Sequence, residues 1–213
     1  MRSRYDKELE QLAADLNEMG AMTKDIAVSI LDCLKTYDAS RADDIDAALA
    51  EISAFERSIE AVCMRLIMRQ QPIASDLRNI RSTMFIIYDM ERIGIQSAEI
   101  AHMLDYVAAH PQPLDESIFR LGTAAVQMVT ESVKACEDKN EVTAKAVISY
   151  DDTVDGLFDE AKKVLIDAIK SGETDAEACV DMLMIAKYFE RIADHAESMA
   201  DWAYFSVTGV HTK

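Results

Sequence analysis

The stretch DMERIGIQSAEIAH at residues 89–102 recurs as YFERIADHAESMAD at residues 188–201, at an offset of 99. A weaker match lies upstream at an offset of 102, where residues 42–45 correspond to residues 144–147. Similarity at a nearly fixed spacing is the signature of an internal duplication. The sequence therefore predicts that one structural unit occurs twice along the 213 residues.

Apolar residues in these stretches have the spacing of α-helices. In the C-terminal copy they recur at intervals of three and four, at Cys179, Met182, Leu183, Ala186, Phe189 and Ala193. This spacing places one apolar stripe along a helix, and such a helix is stable when the stripe is buried against neighbours. Glycine and proline, at six and three residues, are too scarce for a turn-rich β fold. The pattern indicates long helices throughout.

Prolines and short polar stretches divide the chain into six such segments. The breaks are Pro72, Pro111, Pro113 and residues 36–40, 137–141 and 170–174. In the last of these, Gly172 is predicted to end one helix, and Thr174 with Glu177 to form the capping box of the next. Short connections make successive helices antiparallel. The predicted fold is all-α, with two tandem, similar three-helix bundles at residues 1–110 and 111–213.

Charge and composition exclude several classes of function. The chain has 39 acidic and 22 basic residues and a net charge of −17, so nucleic acids and anionic lipid surfaces would repel it. No stretch is long and apolar enough to insert in a membrane, and the N-terminus lacks the apolar region of a signal peptide. Four widely spaced cysteines within apolar helical patterns indicate reduced core residues. We therefore expect a cytoplasmic protein.

No catalytic motif is recognisable in the sequence. The chain has no glycine-rich phosphate loop and no nucleophile elbow, and its four histidines show no metal-ligand spacing among themselves. The prediction is a protein that is not an enzyme.

Carboxylates at helical spacing form the candidate site. Asp151, Asp155 and Asp159 lie at i, i+4 and i+8, and Glu190 and Asp194 form a second i, i+4 pair. Like charges at this spacing destabilise a helix by about 0.2–0.5 kcal/mol per pair. A bound cation would reverse that cost, because hard metal ions prefer several oxygen ligands on rigid elements.

Other interpretations of these acids stay open. Many i, i+4 acid pairs occur by chance on solvated faces of a chain with 39 acidic residues. Lys187 and Arg191 lie within one turn of Glu190, so an ion-pair network without any metal is a strong competitor. A di-iron oxidase is disfavoured, because the Glu-x-x-His pairs of ferritin-like bundles are missing. A plain helical scaffold is also compatible with the sequence.

Four motifs carry a resemblance to a known family. They are RYDKELEQL at 4–12, QQPIASDLR at 70–78, ERIADHA at 190–196 and YFSVTG at 204–209. Over roughly residues 2–209 the chain resembles the PhoU family of phosphate-signalling regulators. The resemblance implies two three-helix bundles, each with E/D-x-x-x-D motifs that bind metal ions such as iron or zinc. Carboxylates alone choose poorly among iron, zinc, magnesium and manganese, so the identity of the ion is left open.

The resemblance also implies a function. Members of the family link the ATPase subunit of a phosphate ABC transporter to a phosphate-sensing histidine kinase. They are negative regulators, holding the phosphate-starvation response off when phosphate is plentiful. The expected partners are therefore these two proteins. The oligomeric state is open, with a homodimer among the expected arrangements.

The two halves differ in how well they keep the metal motifs. The second half keeps them whole, and the resemblance implies metal ligation by Asp151, Asp155, Glu190 and Asp194. In the first half, Ile95 stands where the motif has aspartate, and Leu49 and Ser53 stand where the repeat offset places the other acids. Only Glu91 remains. The sequence predicts that the first bundle has lost its metal site or keeps a severely weakened one.

The segment at residues 70–78 has two open interpretations. Pro72 at a helix start, with Asp76 and Arg78 just inside it, fits local capping and an ion pair. Docking of a partner protein is the alternative.

Overall fold

The computed structural model describes residues 2–36, 38–70, 74–109, 116–172 and 174–212. Within these ranges the secondary structure is helical, with no strand. The helices are α1 (Arg2–Thr36), α2 (Ala42–Gln70), α3 (Ala74–Ala109), α4 (Glu116–Asp138), α5 (Glu141–Ser171) and α6 (Ala176–Thr208), with one 3-10 turn at Ala39–Arg41. The predicted all-α fold is confirmed. Pro72, Pro111, Pro113 and the proposed boundary at 110/111 lie outside the described residues.

The helix ends confirm one capping prediction and correct another. Gly172 ends α5 in the left-handed conformation, with φ of 69°, as glycine can without strain. The N-cap of α6 is Asp175, whose carboxylate accepts a hydrogen bond from the backbone N–H of Glu177 at 2.9 Å. The predicted capping box starting at Thr174 is therefore wrong. The first turn begins one residue later than expected, where a carboxylate also interacts favourably with the helix dipole.

Three helices from each half pack into a bundle, and the bundles share one core. Helices α1, α2 and α3 contact one another, as do α4, α5 and α6. The most extensive contact of all joins α3 to α6, and α1 also packs on α4. The buried apolar residues of both halves form one continuous cluster. The repeats are therefore joined face to face.

Two glycines allow the backbones of α1 and α4 to approach closely. A Cβ atom on Gly20 would lie 2.9 Å from Val133 Cγ1, and a Cβ on Gly122 would lie 3.0 Å from Leu31 Cδ1. Gly20 and Gly122 are 102 residues apart (122 minus 20), and so are Leu31 and Val133. Each repeat thus uses the same pair of positions against the other. This reciprocity is that of an approximate two-fold axis within one chain.

The remaining sequence predictions concern cysteines and membranes. Cys33, Cys63 and Cys179 are buried, Cys136 is half-buried, and all four are free thiols. Burial raises the pKa of Cys63 and of Cys136 to about 12, which keeps these thiols unreactive. The described residues contain no helix with a long enough apolar window to span a bilayer.

Candidate metal centre

Helices α5 and α6, which pack against each other, bear the four predicted ligands. Asp151 and Asp155 lie on α5, and Glu190 and Asp194 lie on α6. Across this helix pair, Asp155 is close enough to Asp194 to raise the pKa of Asp194. Asp155 on α5 and Asp194 on α6 are therefore within electrostatic range of each other.

Among these acids, Asp194 has a raised pKa. Its pKa is raised above the ordinary aspartate value, first by partial burial of the carboxyl and then by the negative charges of Glu190 and Asp155. Lys187 and His195 act in the opposite direction without cancelling the effect. A cation between these carboxylates would relieve the repulsion.

Glu190 already has a cationic partner within the chain. Its side chain is only 12% exposed, and both carboxylate oxygens accept hydrogen bonds from Lys187 Nζ. The same ammonium group lies 5.3 Å from the centroid of the Phe158 ring. At Glu190 the structure therefore shows an ion pair with Lys187, the alternative to metal binding that the sequence left open.

The four predicted ligands are chemically suited to a hard metal ion, but their positions in the structure fit one less well. Carboxylate oxygens suit iron, magnesium or manganese, and zinc also accepts them. Within the described residues, however, no three His, Cys, Asp or Glu side chains are grouped closely enough to hold a metal ion. Binding would require Lys187 to leave Glu190 and the α5 acids to move towards it. The metal site therefore stays a prediction.

The equivalent position in the first bundle is apolar. A Cβ on Gly94 would lie 3.1 Å from Leu49 Cδ1, so α2 and α3 meet there through packed hydrocarbon. The repeat alignment missed an acid pair in this bundle, formed by Glu56 on α2 and Glu91 on α3. Burial and then the charge of Glu91 raise the pKa of Glu56, which shows that the two side chains are close. Glu56 is three residues beyond Ser53, so the alignment did not place it in the motif.

A polar side-chain contact between the repeats was also missed from the sequence. His195 Nδ1 lies 2.9 Å from Asp89 Oδ1, and the Asp89 side chain is only 7% exposed. Close by, the Tyr188 hydroxyl donates to Glu99 Oε2 at 3.4 Å. Both contacts join α3 to α6. The sequence carries no local signal for the contact of His195 with Asp89, since the two residues are 106 positions apart.

Arg78, the last residue of the segment at 70–78, contacts the C-terminal end of α6. Arg78 Nε donates to the carbonyl of Ser206 at 3.1 Å, and a Cβ on Gly209 would lie 2.6 Å from Arg78 Nη1. A guanidinium at the C-terminus of α6 satisfies a free carbonyl and complements the helix dipole. Burial, and then the charge of the neighbouring Asp76, raise the pKa of Tyr5 on α1. Within the described residues, the segment therefore ties α3 to α1 and α6.

Replacing Asp194 with asparagine is expected to stabilise the metal-free protein at neutral pH. A carboxyl whose pKa is raised by folding binds its proton more tightly in the folded state, so stability falls as pH rises through the window above 3.8, the unfolded value. Asparagine removes this penalty. The thermal midpoint in the presence of a chelator should rise at pH 7, and the gain should shrink as the pH approaches 3.8. Asp152→Asn, at an exposed position of α5, is the control. A gain independent of pH would contradict the prediction.

Comparison with known proteins gives consistent matches. The family model described as the PhoU domain matches residues 16–104 and 118–203. A relative from Zymomonas mobilis, named phosphate-specific transport system accessory protein PhoU homolog, is 31% identical over 96% of this chain and 87% of its own length. The crystal structure of PhoU from Pseudomonas aeruginosa superposes with a TM-score of 0.91 at 27% identity, covering 97% of this chain and all of that one. A PhoU structure from Streptococcus pneumoniae, at 24% identity and a TM-score of 0.90 over 98% of this chain and 99% of its own, shares the fold.

Proposed function

This chain belongs to the PhoU family, and on that basis we propose that it is a non-enzymatic regulator of phosphate uptake and of phosphate-starvation signalling. It acts in the cytoplasm as an adaptor between the ATPase subunit of a phosphate ABC transporter and a sensor histidine kinase. When phosphate is plentiful, it holds the starvation response off.

The observation that carries this proposal is the full-length match. The family model covers both repeats, and the Zymomonas mobilis relative, named as an accessory protein of a phosphate transport system, aligns over 96% of the chain. An adaptor must also offer surfaces to other proteins. Long helices with exposed apolar side chains supply them, among them Met68 on α2 and Tyr88 on α3.

Deletion of the gene tests the regulatory role. In phosphate-rich medium the deletion strain should express phosphate-starvation genes that the parent strain represses, and a plasmid copy of the chain should restore repression. Co-purification of the ATPase subunit or the kinase with the tagged chain would support the adaptor role. Normal repression in a strain with no second copy would count against the proposal.

A second candidate function is a metal-binding bundle whose main role is storage or sensing of the ion. The observation in its favour is the raised pKa of Asp194, which reports carboxylates crowded between α5 and α6. In this hypothesis iron, zinc, magnesium or manganese is held by Asp151, Asp155, Glu190 and Asp194. The ion would supply charge neutralisation and a rigid link between the two helices.

Removing the four carboxylates should remove the metal. Wild-type protein purified without a metal-affinity step is expected to contain stoichiometric metal by elemental analysis, and the variant D151N/D155N/E190Q/D194N to contain almost none. The double variant D152N/D167N, which changes two exposed aspartates elsewhere on α5, is the control and should keep its metal. If the fourfold variant keeps the wild-type metal content, these residues are not the site. If it loses metal but regulates normally, the ion is not the main role and the adaptor proposal stands.

A further inference from the structure

A partly exposed cluster of aromatic rings surrounds one arginine where α3 meets α6. We call it the Arg81 face, and it consists of Arg81, Phe85, Tyr88, Trp202 and Phe205. The Arg81 guanidinium carbon lies 5.8 Å from the ring centroid of Phe85, 5.1 Å from that of Trp202 and 5.5 Å from that of Phe205. Phe85 and Trp202 are stacked with centroids 4.1 Å apart. Three rings therefore hold one guanidinium group.

The face is exposed to solvent along α3, whereas Trp202 and Phe205 on α6 are half-buried and in contact with the ring of His211. Phe85 is 43% exposed and Tyr88, one turn further along α3, is 52% exposed. Arg81 is also exposed. Single exposed apolar side chains are ordinary on a protein surface, but contiguous exposed apolar surface marks sites of interaction.

The positive charge of Arg81 is not balanced by an ion pair within the described part of the chain. The protein has 39 acidic residues, yet Arg81 forms no salt bridge with any residue that the structure describes. The nearby carboxylate of Asp201 accepts hydrogen bonds from Thr212 and is paired with His211. Cation–π contacts orient a guanidinium but leave its N–H groups free to bind an anion, and a carboxylate can accept two of them at once.

The second repeat lacks this feature at the equivalent place. At the repeat offset of 99 (180 minus 81), Arg81 and Phe85 correspond to Val180 and Met184 on α6. Val180 is 52% exposed and Met184 37%, so these positions are also open apolar surface. They have no cation among them. Since the duplicated fold produces an exposed apolar patch twice but the arginine and its stacked rings once, the fold alone does not account for the Arg81 face.

We infer that the Arg81 face is the docking site for the protein partner of the proposed regulator. The partner presents a segment in which a carboxylate pairs with Arg81 while an adjacent aliphatic or aromatic side chain packs on Phe85 and Trp202. Arginine and aromatic residues dominate the energetic centres of protein interfaces, where a pre-ordered side chain loses little entropy on binding. The carboxylate follows from charge complementarity with an arginine that pairs with no acid among the described residues. The inference rests on the proposed adaptor function.

Paired alanine variants of the two repeats test this inference. The full-length chain is titrated against the purified transporter ATPase subunit and, separately, the cytoplasmic part of the kinase from the same organism, by isothermal titration calorimetry. Arg81→Ala and Phe85→Ala should each weaken binding of at least one partner by about tenfold or more. Val180→Ala and Met184→Ala, the matched controls, should leave the affinity within about twofold. Far-UV circular dichroism verifies that each variant is folded.

The possible outcomes distinguish a failure of the inference about the Arg81 face from a failure of the adaptor proposal. If wild type binds a partner and both Arg81→Ala and Phe85→Ala bind it equally well, the inference is overturned and the adaptor role survives. If wild type binds neither partner, the adaptor proposal fails and the inference fails with it. If the variants instead convert a dimer into a monomer in sedimentation experiments without affecting partner affinity, the face joins two copies of this chain, and the inference is again overturned.

Discussion

Phe189→Ala is expected to lower the free energy of unfolding by about 3–5 kcal/mol. Phe189 is fully buried and is among the largest side chains of the core. Its ring lies where α1, α4 and α6 converge, with Cζ 3.1 Å from the position of a Cβ on Gly122. Removing the ring loses its transfer free energy and leaves a cavity that three packed helices cannot close. Urea denaturation followed by far-UV circular dichroism measures the change.

A half-buried phenylalanine supplies the comparison for this loss. Phe158 on α5 packs at the edge of the core, and its ring faces the ammonium groups of Lys162 and Lys187 at 5.9 and 5.3 Å. Phe158→Ala leaves a site that water and the lysine side chains can refill, so a smaller loss is expected. If Phe189→Ala costs no more than Phe158→Ala, the central position of Phe189 is contradicted.

Gly122→Leu is expected to destabilise the protein by about 1–3 kcal/mol, because it forces a side chain into a filled contact. The first added carbon alone would lie 3.0 Å from Leu31 Cδ1 and 3.1 Å from Phe189 Cζ. Leucine is the better helix former by somewhat less than 1 kcal/mol, which offsets only part of this cost. Thermal and urea unfolding should both register the loss.

The control for Gly122→Leu is a glycine with open space around it. A Cβ on Gly156 of α5 would meet nothing within 4 Å. Gly156→Ala should therefore stabilise the protein by about 0.5–1 kcal/mol through helix propensity alone. A stabilising effect of Gly122→Leu would show that α1 and α4 are not in close contact.

The two largest effects should also be coupled. Phe189→Ala opens space at the point where the leucine of Gly122→Leu needs it. The double variant should lose less stability than the sum of the two single losses, as expected for residues in direct contact. Strict additivity would mean that Phe189 and Gly122 do not share one cavity.

Most of the helical architecture can be predicted from the sequence, because its signals are local. Apolar spacing defines a helix, and a glycine such as Gly172 ends one within a single turn. The start of α6 shows the limit, since Thr174 and Asp175 are both good N-caps and one residue of register decides between them. The contact of α3 with α6 has no local signal. It depends on side chains such as Asp89 and His195 that are 106 residues apart.

The candidate site could be predicted only as a set of residues on two helices. Spacing places Glu190 and Asp194 on one face, but the rotation of α5 against α6 decides whether Asp155 faces them closely enough to share a ligand. That rotation is set by core packing along the whole bundle. The sequence did suggest that Lys187 competes for Glu190, and the structure places its ammonium group on both carboxylate oxygens.

Trp202 has a practical consequence beyond its place beside Arg81. It is the chain's single tryptophan, and its indole stacks on Phe85 across the seam between the two repeats. Tryptophan emission, excited selectively over that of the seven tyrosines, therefore reports on one location in the molecule without any label. An effector or protein that slides α3 along α6 would change the emission of this one residue. The contact between the two repeats can therefore be followed in real time during signalling.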